Sequence, residues 1–379
     1  MSRSQVLRTR DLRLGGSWRR VLIWLIPAVV TLAWLTYVST VGHWDRVTNH
    51  WESSLTMLFG SFVAGSTPQG GGAIAFPVMT KALQVPADVA RTFSLCIQAV
   101  GMVVASAVII LARRRIEAKP LIVAGSAGVV GFLAGLFLLG DHDSVFWPSL
   151  VPAPYVKVTF TVILAAMAYI VWLSLKEGDC GELALPVRNT RVRIGVIAAG
   201  LVGGVASALT GSGVDVFLFL FLVVLAGLHP RVGVPTSIIA MALVSTLGFI
   251  LLGLVDGQLA TEVNGAGDVV SVGGNALPQT LPGSQFDVFG LWLAAVPIVV
   301  WGAPLGAYLV DTLREGRLIA FVAGMAALEV VSTAVFLDEL RTDPTLALYG
   351  IAALVATIVL VRWLTSNRHR LLDLHHLHA

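Results

Sequence analysis

The chain has 379 residues, 56% of them hydrophobic and only 12% charged, about half the charged share of an ordinary soluble domain. That composition excludes a soluble globular protein, and two cysteines, Cys96 and Cys180, exclude a disulfide scaffold or a CxxC metal site. The net charge of +3 calls for no nucleic-acid partner, because the basic residues cluster at the ends of apolar runs.

Residues 1–20 hold Arg3, Arg8, Arg10, Arg13, Arg19 and Arg20 and lead into the apolar run 21–41, which has no small-residue cleavage site. They read as a cytoplasmic tail and a retained transmembrane anchor. Further runs long enough to cross about 30 Å of hydrocarbon lie at 89–112, 121–139, 156–175, 232–255, 288–310, 318–337 and 346–364. Two stretches, 55–83 and 194–228, are too long for one straight crossing, and Gly, Thr and Ser interrupt each of them. Because Pro removes a backbone donor and Gly is costly inside a helix, each reads as two short helices meeting at an unwound turn. The Gly-rich segment 257–283 reads as a flexible loop, a tolerated insertion. The tail with His375, His376 and His378 reads as solvated chain; no metal site and no cofactor are expected.

Placing the Arg-rich N-terminus in the cytoplasm, and letting each broken stretch enter and return on one side, assigns every loop. Twenty of the 25 Lys and Arg residues then fall inside, leaving Arg46, Lys81, Arg91, Lys157 and Arg341 outside. Both termini are expected in the cytoplasm of a multi-pass inner-membrane protein, with segment 257–287 outside.

The chain also repeats itself. Thr67 and Thr210 are 143 residues apart, as are Gly60 and Gly203, Gly70 and Gly213, Phe76 and Phe219, and Ser94 and Ser237. Eight identities fall in the 42 positions from 58 to 99, and they favour Gly, Thr and Ser over interchangeable aliphatics. A unit with an odd number of crossings forces the second copy to start on the opposite side. The expected fold is an all-α polytopic membrane protein of two inverted repeats, each a broken re-entrant helical hairpin plus three transmembrane helices, with one extra span at each end. Repeat one covers 53–176, a cytoplasmic linker 177–193, repeat two 194–337 with its insertion 257–287, a last span 345–364 and a cytoplasmic tail 365–379.

Unwound backbone survives at membrane depth only where it is buried in protein or lines a cavity, and paired breaks in two halves are a common way to build a transport site. The first turn reads Ser66-Thr67-Pro68-Gln69-Gly70-Gly71-Gly72, the second Thr210-Gly211-Ser212-Gly213-Val214-Asp215. Free N–H groups of the helix after each turn suit a small anion. Ser94 in one half, and Thr236 with Ser237 in the other, offer further hydroxyls. The bland alternative is that these hydroxyls bond to their own helices and the glycines permit close packing. Asp215 is the acidic residue of the turns and Glu329 lies well inside another apolar run; such carboxylates mark ion or proton paths, or else Asp215 caps the helix that follows.

A Gly-rich turn after a short apolar helix, a Pro soon afterwards (Pro77), and a Thr-Ser element opening the next span, all duplicated, resemble the sulfite exporter TauE/SafE family. The likeness runs over residues 55–364, with the family's Gly-rich turn on Gly70, Gly71 and Gly72 and its Thr-Ser element on Thr236 and Ser237. Phe93 stands where the family has Thr, and Val214 and Asp215 stand where it has glycines. The resemblance implies a transporter, not an enzyme, that moves sulfite, an organosulfonate or a related sulfur-containing or carboxylate anion within membrane lipid. A substrate site of Ser66, Thr67, Gln69, Gly70, Gly71, Gly72, Ser94, Thr210, Gly211, Ser212, Gly213, Thr236 and Ser237 is expected, with Asp215 coupling a proton or sodium ion. Two rivals stand beside it. One is an intramembrane serine hydrolase built on Ser212 and His229; the other is a non-transporting membrane scaffold.

Overall fold

The computed structural model describes residues 17–67, 71–177, 189–310, 324, 327, 330–335 and 337–367. Most are helical: α1 (Ser17–Val41), α2 (Trp44–Asn49), α3 (Trp51–Ser66), α4 (Gly72–Pro77), α5 (Ala87–Leu111), α6 (Ala118–Leu139) and α7 (Ala153–Glu177) precede α8 (Thr190–Thr210), α9 (Val214–Phe219) and α10 (Pro230–Gly248). A small sheet and then α11 (Val288–Val310), α12 (Glu339–Thr342) and α13 (Pro344–Ser366) follow. Seven helices among the described residues are long and apolar enough to cross a membrane, which makes this a polytopic helical membrane protein. Most of the expected span 318–337 lies outside the described residues, as do Cys180, Glu329 and the histidine tail.

One order of elements occurs twice. A long helix (α3 or α8) breaks, a six-residue helix (α4 or α9) follows, its end widens into a π turn (Val78–Ala82 or Leu220–Leu225), and a long helix (α5 or α10) starts at Ala87 or Pro230. The halves exchange partners: α3 packs along α11, α8 along α6, and α5 faces α10. Small residues make both exchanges close. Gly200 and Gly204 of α8 sit against α6, where a Cβ on Gly204 would fall 2.6 Å from the Phe132 nitrogen. Gly302 and Gly306 of α11 receive α3 in the same way, and Ser53 and Ser54 of α3 donate to the carbonyls of Leu291 and Ala294 at 2.8 and 2.7 Å. The anchor α1 is held to α11 by indole donors: Trp34 bonds the Leu293 carbonyl and Trp301 bonds the Thr31 hydroxyl, each at 2.9 Å.

The segment read as a flexible loop is instead an antiparallel three-stranded sheet, β1 (Thr261–Val263), β2 (Val269–Val272) and β3 (Asn275–Leu281), in that spatial order. The glycines that suggested a loop are its turns. Gly273 and Gly274 have φ of +62° and +78°, the pair of positive values that a two-residue hairpin turn needs. The sheet is fastened through buried Asp287, whose carboxylate accepts from Thr261 and from the Gly290 N–H at 3.0 Å and lies 3.7 Å from both Arg46 of α2 and His50, the residue that joins α2 to α3.

Candidate functional site

The two breaks meet. Gly72, the first residue of α4, lies so close to the second turn that a Cβ on it would fall 2.6 Å from Ser212 Cβ and 2.9 Å from Gln98 Nε2. The second turn is shaped by Gly211, whose φ of +81° ends α8, and a Cβ there would fall 2.6 Å from Ser94 Cβ of α5. Gln98 stitches the turn to α5: its Nε2 donates to the Gly211 carbonyl at 2.7 Å and to the Ser94 carbonyl at 3.1 Å. At 1.5 Å per residue Gln98 stands roughly 16 Å from the first residue of α5 and roughly 20 Å from its last. The junction therefore sits halfway along a membrane-length helix.

Of the expected site residues, the structure brings together Gly72, Ser94, Gly211, Ser212 and Asp215. Gln69 and Gly70 lie outside the described residues. Gly71 folds back on α3, facing Ala64 and Met57. The hydroxyls divide sharply by what their hydrogens already do. Thr67 donates to Val63 O at 3.0 Å and Ser66 to the same oxygen at 3.4 Å. Thr210 donates within its own turn, to Ser212 O at 2.8 Å or Ala206 O at 3.0 Å. Thr236 donates to Val232 O at 2.7 Å while accepting from the Glu117 N–H, and Ser237 donates to Val234 O at 2.9 Å. Ser94 alone among these has a buried hydroxyl oxygen without a partner.

The backbone donors expected after the second turn are largely used. The Val214 N–H reaches Ser207 Oγ at 3.3 Å and the Val216 N–H reaches Asp215 Oδ1 at 3.0 Å, so Ser207 and Asp215 act as local caps. Ser212 Oγ donates to Asp215 Oδ1 at 3.4 Å, and His229 spends Nδ1 on the Arg231 N–H at the start of α10. Among the described residues, three buried side-chain atoms at the junction keep no partner: Ser94 Oγ, Gln98 Oε1 and Asp215 Oδ2. Such atoms cost free energy when left alone, of order 1–3 kcal/mol each. A cavity of about 70 Å³ reaches the second turn from α7, walled by Phe160 and Val156 on one side and by Thr210, Ser212 and Gly213 on the other.

Gln98 is a site residue that the sequence reading missed. Its signal was a single amide inside an apolar run, and the repeat spacing concealed it, since the position 143 residues on is Met241. Beyond the junction, Arg91 is buried one turn before Ser94 and donates to the carbonyls of Phe146 and Trp147 at 2.6 and 2.8 Å.

No curated protein and no solved structure matches the chain. A family model described as sulfite exporter TauE/SafE matches residues 53–333, a region that holds both breaks, the junction and the small sheet. With most of its length matched, and with membrane-length helices throughout, this chain belongs to the TauE/SafE sulfite exporter family, a family of membrane transporters and not of enzymes.

Proposed function

We propose that the protein is a secondary transporter of a small anion, of the sulfite, organosulfonate or related sulfur-containing or carboxylate class, working by alternating access around the two turns. The observation that carries this reading is the meeting of two broken helices halfway along α5, with partnerless polar atoms buried where they touch.

The site takes in Ser66, Thr67, Gln69–Gly72, Ser94, Thr210–Gly213, Thr236 and Ser237, with Asp215 as the group that couples a proton or sodium ion. Within that set Ser94 has the leading role, because a hydroxyl whose hydrogen is committed to its own helix can only accept, and an anion needs donors. Repeat one (53–176) and repeat two (194–337) are related by inversion, a reading supported by the doubled element order and the reciprocal packing of α3 on α11 and α8 on α6. Both termini are cytoplasmic and the sheet insertion is outside, which puts 20 of 25 basic residues on the cytoplasmic side.

Calorimetric titration of the purified protein with sulfite, sulfoacetate and acetate tests the site. A hydrogen bond to a charged group is worth about 1.5–3 kcal/mol, so Ser94→Ala should weaken binding by roughly 10- to 150-fold. Thr67→Val should change it little. Equal affinity in the parent and Ser94→Ala would remove Ser94 from the site. For the topology, an impermeant thiol reagent should label a cysteine introduced at Gly273 from outside; labelling only after permeabilisation would invert it.

A further inference from the structure

The partnerless atoms at the junction include two oxygens that can only accept. Gln98 Nε2 donates to two carbonyl oxygens, Gly211 O and Ser94 O, which fixes the amide so that its other atom must be Oε1. That oxygen is buried, on a residue 2% exposed, and has no donor. Asp215 is fully buried; Oδ1 accepts from Ser212 Oγ and the Val216 N–H while Oδ2 accepts from nothing. Among the described residues no cationic side chain forms an ion pair with Asp215. The second turn also caps the 21-residue α8, whose C-terminal end adds negative potential at the same place. An anion alone would meet two bare acceptors, one of them the Asp215 carboxylate, while N–H groups at the start of α9 are already taken by Ser207 and Asp215.

From this geometry we propose that the junction holds a sodium ion, bound by Gln98 Oε1, Asp215 Oδ2 and Ser94 Oγ. A hard cation takes carboxylate, amide and hydroxyl oxygens, and in transporters with broken helices sodium sits where unwound backbone and the C-terminal end of a half-helix, here that of α8, face it. The ion resolves a conflict in the site, since it supplies the positive charge that an anion needs beside Asp215. Ser94 can serve both at once, its lone pair turned to the cation and its hydrogen to the anion. This rests on the transporter reading for its purpose, yet the cation site can be measured without any anion.

Binding of radioactive sodium to the purified full-length protein, read by scintillation proximity, is the test. Saturable binding is expected, displaced by unlabelled sodium at least ten-fold better than by potassium. Asp215→Asn and Ser94→Ala preserve shape and should weaken sodium binding at least ten-fold and several-fold, respectively. Gln98→Leu should abolish it. Ser106→Ala, which removes another partnerless buried hydroxyl of α5, should leave it unchanged. A folded parent that binds no sodium, yet exchanges labelled sulfite across liposomes, overturns the proposal, as does sodium binding indifferent to Asp215→Asn. Sulfite flux driven equally well by a pH gradient without sodium assigns the site to a proton and overturns it too. Sodium binding without any anion exchange would support the cation site and sink the substrate reading instead.

Discussion

Replacing Gly72 with alanine places a methyl group where the two broken helices touch. Its carbon would lie 2.6 Å from Ser212 Cβ, 2.9 Å from Gln98 Nε2 and 3.2 Å from Ser212 Oγ. Carbon atoms in contact settle at about 3.5–4.0 Å, so the turns must separate by about 1 Å. A Cβ next to a turn cannot swing aside as the end of a long side chain can. Overpacking of this kind costs about 1–3 kcal/mol, and the better helix propensity of Ala returns at most about 1 kcal/mol. If contact between the turns belongs to one access state, a net loss near 1.4 kcal/mol depopulates that state about ten-fold. The assay is paired: thermal melting in detergent, and transport in liposomes. Gly265→Ala is the control, because a Cβ there meets nothing within 4 Å. We expect Gly72→Ala to melt lower and to transport several-fold more slowly than the control. A variant that melts and transports as the parent does would refute the contact between the turns.

Gln98→Leu strands the carbonyl of Gly211, at a cost of about 1–3 kcal/mol, while the Ser94 carbonyl keeps its helical partner, and should lower the melting temperature more than Ser94→Ala does; the reverse order would mean that Gln98 is no stitch. Asp287→Ala leaves Arg46 and His50 without their shared carboxylate and frees Thr261, a loss of about 3–5 kcal/mol for a broken buried pair, and should expose residues 264–283 to limited proteolysis while the helices stay resistant. At the start of α13, Asp343 is held below its ordinary value of 3.8 by hydrogen bonds from Thr345 and Leu346. A depressed carboxyl stabilises the fold above that value and loses its effect as acid titrates it below, so the amides of Thr345 and Leu346 should loosen only under strong acidification. Amide shifts of Thr345 and Leu346 that titrate with a midpoint at or above about 4, the ordinary value of a free Asp carboxyl, would remove the cap from Asp343.

The helices were legible because lipid allows little else: backbone polar groups must be satisfied within the segment, and the apolar runs at 89–112, 121–139 and 288–310 mark them directly. The breaks were legible too, since Gly and Thr inside such runs have few innocent explanations. What the hydroxyls do was not. Whether Thr210 bonds Ser212 O or faces a ligand depends on a rotamer, and every Ser or Thr on a helix can bond back to the preceding turn. Gln98 escaped because only half of the duplication carries it. The sheet at 261–281 escaped for another reason: its strands are three to seven residues long, and Gly273-Gly274 announces a hairpin only once the flanking residues are read as strands.

Counterflow in proteoliposomes puts the transport claim to its most direct test. Vesicles holding the purified protein and preloaded with unlabelled sulfite should take up external radiolabelled sulfite well above protein-free vesicles, with the preload accelerating entry and Ser94→Ala slowing it at least ten-fold. Uptake equal to that of protein-free vesicles, for sulfite, sulfoacetate and acetate alike, would contradict the account.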